Sequence, residues 1–241
     1  MRNLFKKLNP AILIMIALLL GNNMLTSNQS IGQWLFMQIT FLPAILVGLT
    51  FHEAAHGFAS YWLGDPTPKI QGRLSLNPLK HIDPIGFLAL FFAGFGWGKP
   101  VEINPFYYKN RRRDELIVSL AGVVTNLIIA ILSFVALRLL LDYFVVNEVT
   151  FAGETIFIIL SYMARINIVL MIFNLIPVPP LDGFGVITQI FNLQKYDWWY
   201  KLYSNGFLIL MILILFNVTD MILTPGVSFV HNILWTLIVG Y

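Results

Sequence analysis

"LTFHEAAHGF", residues 49–58, sets two histidines and a glutamate into a run of apolar and small residues. The surrounding stretch from Ile31 to Leu63 is apolar and long enough to cross the ~30 Å hydrocarbon layer of a bilayer as a helix. On a helix, residues four apart lie on one face, a turn above one another. His52 and His56 can therefore reach a single metal ion, with Glu53 beside them as a candidate general base. The alternative is a polar stripe of a membrane helix that neighbouring helices satisfy.

Composition supports the membrane setting. Hydrophobic residues make up 58% of the 241 residues, charged residues 11%, and the mean hydropathy is +0.76. A soluble domain carries about 25% charged residues, so this chain cannot cover a water-facing surface. The expected fold class is an all-α polytopic membrane protein. It has about five to six transmembrane helices and a short membrane-associated β or re-entrant segment. Residues 1–241 read as one membrane-embedded domain with its core at 31–190 and no soluble domain. The chain has no cysteine, which excludes disulfides and thiolate metal sites and leaves imidazole and carboxylate as ligands. Its net charge of +3 comes from short basic stretches between apolar segments. These fit loops on the cytoplasmic leaflet and argue against a nucleic-acid partner.

Outward from the motif, residues 10–26 read as an uncleaved first membrane helix. The second apolar stretch should stop at "GDPTP", where Gly64, Pro66 and Pro68 break it. Partial alternation across residues 69–83 suggests short strands at the membrane surface. The glycine-rich 84–98 segment is too short to span and reads as re-entrant. Later apolar segments fall near 115–141, 155–181, 205–223 and 227–240. Basic-residue placement predicts a multi-pass protein of the cell membrane with a cytosolic N-terminus. His52 and His56 then lie in the cytosolic half of the second helix.

A catalytic zinc usually takes three protein ligands. The 155–181 segment ends in "FNLIPVPPLDGFGV", where Pro177, Pro179 and Pro180 must break the helix and Asp182 follows. A carboxylate in so apolar a stretch needs a cation partner, or it caps a new helix. His52-Glu53-x-x-His56 with the distant Asn174…Asp182-Gly183 motif resembles the site-2 protease family of intramembrane metalloproteases. "GDPTPKIQGRLSLNPLKHIDPIG" (64–86) and "GFGWGKPVEINP" (94–105) are also similar to its short members, which lack PDZ and CBS domains. The resemblance implies one Zn2+, with His52, His56 and Asp182 as ligands and Glu53 as general base. It also implies that Asn174 and Asn126 lie close to the site, with catalytic parts in oxyanion or substrate binding. The family's usual A-G-P-x-x-N reads "AGVVTN" here, with Val123 where proline is common.

On this resemblance the chain is an endopeptidase that cuts transmembrane substrates near the cytosolic face. Its partners are single-span membrane proteins and the lipid bilayer, and the sequence carries no signal of oligomeric state. An unwound substrate can pair as an added strand with Gly72, Arg73, Leu74, Ser75, Leu76 and Asn77. His81 and Asp83 read as residues that fix a turn. Arg138 should snorkel to the outer interface, Arg165 should find a buried partner, and Arg111–Arg113 should anchor the topology. A metal transporter and an inactive membrane scaffold are the competing classes. Secondary transporters usually carry an internal repeat, and none is apparent.

Overall fold

Helix boundaries follow the apolar runs and their breakers. The computed structural model describes residues 30–93 and 96–240; the expected helix at 10–26 lies outside them. Helix α1 covers Ile31–Trp62, running through Pro43. It ends where Gly64 takes a φ of +107°, open to glycine because no Cβ clashes. A turn of helix, α2 (Thr67–Ile70), and a 3₁₀ turn (Pro78–Lys80) follow. Then come α3 (Pro84–Ala93), α4 (Arg111–Val146), α5 (Phe151–Leu175) and α6 (Asp182–Phe191). The chain closes with α7 (Asp197–Ser204), α8 (Gly206–Leu215) and α9 (Val218–Leu234), the last extended by a π-helical turn to Val239.

Two compact units divide the chain. One takes the residues up to Ile39 together with Ile82–Lys99, the other Thr40–His81 and Pro100 onward. In the first, Asp83 Oδ1 accepts from the amides of Ile85 (3.0 Å) and Gly86 (2.8 Å), capping α3. A single antiparallel bridge joins Ile82 to Gly98. Ten helical residues reach only ~15 Å, and the bridge brings the two ends together, so the segment returns on itself as expected of a re-entrant loop.

In the second unit α4 packs along α5, and α6 and α9 pack beside them. Its core joins Val123, Ala130, Phe134 and Leu137 of α4 to Ala164, Ile168 and Met171 of α5. A smaller cluster, Ile176, Leu181 and Leu210, holds the break between α5 and α6. The outer faces stay apolar: Leu132 is 62% exposed, Leu139 66% and Leu237 77%. Such a surface is at home in lipid and not in water. Four described helices are long and apolar enough to cross a bilayer: Ile31–Trp62, Arg111–Val146, Phe151–Leu175 and Val218–Val239. The pair α7–α8, bent by 61°, makes a fifth if it counts as one span. The chain is an all-α, multi-pass membrane protein.

Several local expectations change. No strand forms across 69–83 among the described residues. Pro68 and Pro78 sit at the starts of helical turns, and the Ser75 amide folds back onto the Arg73 carbonyl at 2.9 Å. Residues 73–77 bend at Leu74 and have no ladder partner among the described residues. The apolar segments at 205–223 and 227–240 do not part at Pro225, which lies inside α9. The break falls at Asn217 instead, in the left-handed region at φ +56°, which Asn tolerates well. Arg138 binds Asp142 (2.9 Å) and the Val239 carbonyl. Arg165 lies on the exposed side of α5 and not against a buried partner.

Candidate metal centre

Helical spacing puts His52 and His56 one turn apart on α1, and each ring is held at its Nδ1. His56 Nδ1 donates to the Val118 carbonyl of α4 at 2.8 Å. A carbonyl only accepts, so Nδ1 carries a proton, and in the neutral ring Nε2 carries the lone pair. His52 Nδ1 meets Asn126 Oδ1 at 2.7 Å. Asn126 Nδ2 faces the Gly48 carbonyl at 3.2 Å, which again only accepts. The amide orientation is thereby fixed, and His52 too must donate through Nδ1.

Helix α4 comes this close because residue 122 is glycine. A Cβ there would fall 2.5 Å from His52 Cε1 and 2.6 Å from both His52 Nδ1 and His56 Nε2. Val123 packs into the α4–α5 core at 5% exposure. The departure from proline at this position leaves α4 unbroken and Asn126 in reach of His52.

Asp182 is the first residue of α6, one past the N-cap position, which Leu181 holds. The capping alternative therefore does not describe it. Gly183 permits the tight return from α5, since a Cβ there would meet the Leu175 carbonyl oxygen at 2.3 Å. Asp182 Oδ2 lies 3.2 Å from His52 Nε2 and 3.3 Å from His56 Nε2, while the two Nε2 atoms are 3.1 Å apart. It is buried with no hydrogen-bond partner.

With both rings neutral, three acceptor atoms face one another, an arrangement suited to a cation. Tetrahedral zinc at about 2.05 Å from each donor would hold donors ~3.3–3.4 Å apart. The observed triangle fits that ion.

Glu53, half-buried, accepts from the Val101 amide through Oε2 at 2.9 Å. That amide, the Val118 carbonyl and Gly122 were not foreseen from sequence; only the Gly-Lys-Pro-Val context marked the first. Asn126 is fully buried beside the cluster. Both its amide protons are spent, on Gly48 and on Asn167 Oδ1 at 2.9 Å. Its Oδ1 meets His52 Nδ1 at 2.7 Å. Asn174 is not drawn into the triangle: its Nδ2 turns back to the Leu170 carbonyl at 2.9 Å.

Of residues 72–77, Arg73 binds the Lys80 carbonyl and Asn77 Oδ1 caps the following turn through the Leu79 amide at 3.0 Å. Gly72 turns the chain at φ +67°. His81 Nε2 donates to the Ser75 carbonyl at 2.7 Å, so His81 and Asp83 are the turn-fixing residues expected. Leu74 approaches Gly57 of α1. Leu76 lines a groove of about 560 Å³ between α1 and α4, walled by Ala54, Ala55, Phe58, Leu120 and Ala121.

The described sequence agrees with known proteins. YwhC of Bacillus subtilis (strain 168), named as a zinc metalloprotease, is 35% identical over 198 residues, 80% of this chain and 90% of the relative. The sequence model of peptidase family M50 matches residues 143–216, a stretch that holds Asp182. This chain belongs to peptidase family M50. Rip2 of Mycobacterium tuberculosis (strain H37Rv), with a zinc metalloprotease name as well, is 33% identical over 148 residues, 59% of this chain and 53% of the relative. Rip2 of Mycolicibacterium smegmatis is 30% identical over 183 residues, covering 73% and 67%. No solved structure matches the chain. The M50 chain is thus a zinc metalloprotease of the membrane, and Zn2+ is its cofactor.

Proposed function

We propose that this M50 peptidase cuts peptide bonds of single-span membrane proteins within the bilayer, near its cytosolic face. His52, His56 and Asp182 would hold the zinc, and Glu53 is the general base. The observation that carries the reading is the triangle of donors, two on a helix apolar enough to span and the third on the short helix that follows α5, itself apolar enough to span. Bound zinc acidifies a water and polarises a carbonyl. Glu53, kept in place by the Val101 amide, takes a proton from the attacking water and delivers it to the leaving amine. The hydrogen bond donated by the Val101 N–H engages one carboxylate oxygen and leaves the other for this transfer.

A substrate helix must unwind before its peptide groups can react, and residues 73–77 offer it a template. The Ser75 N–H and C=O groups are satisfied by Arg73 and His81. The N–H and C=O groups of Leu74 and Leu76 have no partner among the described residues. That open edge suits strand addition. The small-residue groove beside it accepts the apolar side chains of a span. The bilayer and single-span substrates are the partners this reading requires.

The test pairs metal with cleavage. Wild type and Glu53→Gln are reconstituted in liposomes with a panel of single-span reporters, and products are mapped by mass spectrometry. Glu53→Gln should hold about one zinc per chain and lose ~10²–10⁴-fold in rate. Cuts confined to water-exposed loops, or retained cleavage by Glu53→Gln, would sink the proposal.

A further inference from the structure

Asn167 sits amid the apolar run "RINIVL" of α5 and is fully buried. An uncharged polar residue so placed needs partners, and its partners form a directed chain. Its Nδ2 donates to the Met163 carbonyl of its own helix at 2.8 Å. That bond fixes the amide's orientation and leaves Oδ1 facing α4. There it accepts from Asn126 Nδ2 at 2.9 Å, the shorter of that group's two bonds, the other being 3.2 Å to Gly48.

Asn126 could otherwise turn over. Its Nδ2 would then face His52 Nδ1, which would have to give up its proton. The proton would move to Nε2, where it blocks the lone pair that points at Asp182 and His56. Two acceptors, Gly48 O and Asn167 Oδ1, oppose that flip, and Asn167 is the only one of them a side chain supplies.

We infer that Asn167 is a positioning residue for the metal: through Asn126 it holds His52 in the tautomer that can ligate zinc. The relay runs from the Met163 carbonyl through Asn167 and Asn126 to His52. It touches neither metal nor substrate, and its effect is on affinity for the ion. It rests on the ligand assignment proposed above.

Zinc affinity measured by competition with a chromophoric chelator, together with the visible spectrum of the Co(II)-loaded protein, tests it on the full chain in detergent. Outer partners of metal ligands are typically worth 10–100-fold in affinity. Asn167→Leu, similar in volume but without an acceptor, should weaken zinc about tenfold and alter the Co(II) bands. Asn167→Ser, whose hydroxyl bonds back to its own helix, should do the same and serves if the leucine variant does not fold. Asn167→Asp, protonated in that setting, keeps both bonds and should restore wild-type affinity.

Asn126→Leu/Asn167→Leu should bind no more weakly than Asn126→Leu alone, because the second residue acts only through the first. Wild-type affinity and spectrum in the folded Asn167→Leu or Asn167→Ser protein would overturn the inference. So would fully additive losses, or no rescue by Asp. Asp182→Ala in the same series separates the two readings. If it keeps its zinc, the ligand assignment itself fails; if it alone loses zinc, only the role of Asn167 falls.

Discussion

Replacing Gly122 by alanine adds one methyl group to a helix and touches no ligand. The new Cβ would stand 2.5 Å from His52 Cε1 and 2.6 Å from both His52 Nδ1 and His56 Nε2. Ordinary contacts of this kind are ~3.5 Å or longer, so something must move by about 1 Å. Neither ring can give alone, since Asn126 holds one at 2.7 Å and Val118 the other at 2.8 Å. A zinc site tolerates only about ±0.2 Å in its ligand distances, so the shift exceeds the tolerance several-fold. Zinc affinity should fall by about 100-fold or more, on the scale by which outer partners act. Overpacking should cost about 1–3 kcal/mol of stability. The opposite expectation is just as definite. In a helix with free space, Gly→Ala stabilises by ~1 kcal/mol. Zinc content and affinity by chelator competition, with thermal unfolding of the same detergent samples, decide between them. A variant with wild-type zinc and a raised melting temperature would refute the close approach of α4 to the histidines.

Asp65→Asn tests the clamp behind the general base. Asp65 is fully buried and accepts from Ser60 Oγ (2.7 Å), the Thr67 amide (2.9 Å) and the Asn104 amide (2.7 Å). Burial would raise its carboxyl, but the bonds from Thr67, Asn104 and Ser60 outweigh that and hold it below the usual range. Ser60 Oγ also meets the phenol of Tyr108 at 2.7 Å, whose pKa burial pushes up to about 12. The substitution should cost about 2–3 kcal/mol at neutral pH. Because the folded value lies below the unfolded one near ~3.9, that stability is present above it and lost as pH falls through the folded value. The gap between wild type and variant in melting experiments should therefore close below about pH 4; a gap that persists unchanged in acid would be inconsistent. Leu76→Pro removes an amide that bonds nothing among the described residues, so it should leave zinc content and melting unchanged while slowing cleavage about tenfold or more. Unaltered cleavage would end the strand-addition proposal.

The spans, the break after α5 and the two distant motifs were legible because each depends on residue type. A long apolar run, a cluster of prolines and a pair of histidines four apart carry their physics in their side chains. What escaped the sequence is mostly main chain. The Val118 carbonyl on His56, the Val101 amide on Glu53 and the Gly48 carbonyl on Asn126 could belong to any residue. The apparent strand near 70–79 failed for a related reason. Alternating Leu74 and Leu76 describe an extended chain, but a strand also needs a partner, and among the described residues none is present. The apolar segments at 205–223 and 227–240 divide elsewhere than expected, because Pro225 lies inside α9, and a proline inside a membrane helix is tolerated where neighbouring groups compensate.

These main-chain bonds make helix packing and metal geometry one object. Each histidine is oriented by α4, one through Val118 and the other through Asn126, and α5 fixes Asn126 in turn. The third donor arrives on α6, a ten-residue helix too short to place itself. Its far end is strapped to α4: Arg112 donates to the carbonyls of Gln189 and Ile190, and Gln189 Nε2 to Glu115. A cation on the last carbonyls of a helix is favourable, and here it also fixes where α6 points its first residue. Arg112, expected only to anchor topology, thus ties Asp182 to the helix that orients both histidines. Helix α4 is the common reference for all three donors. The close approach at Gly122 follows from that, because a helix that must reach both rings and strap α6 leaves no room for a side chain between them.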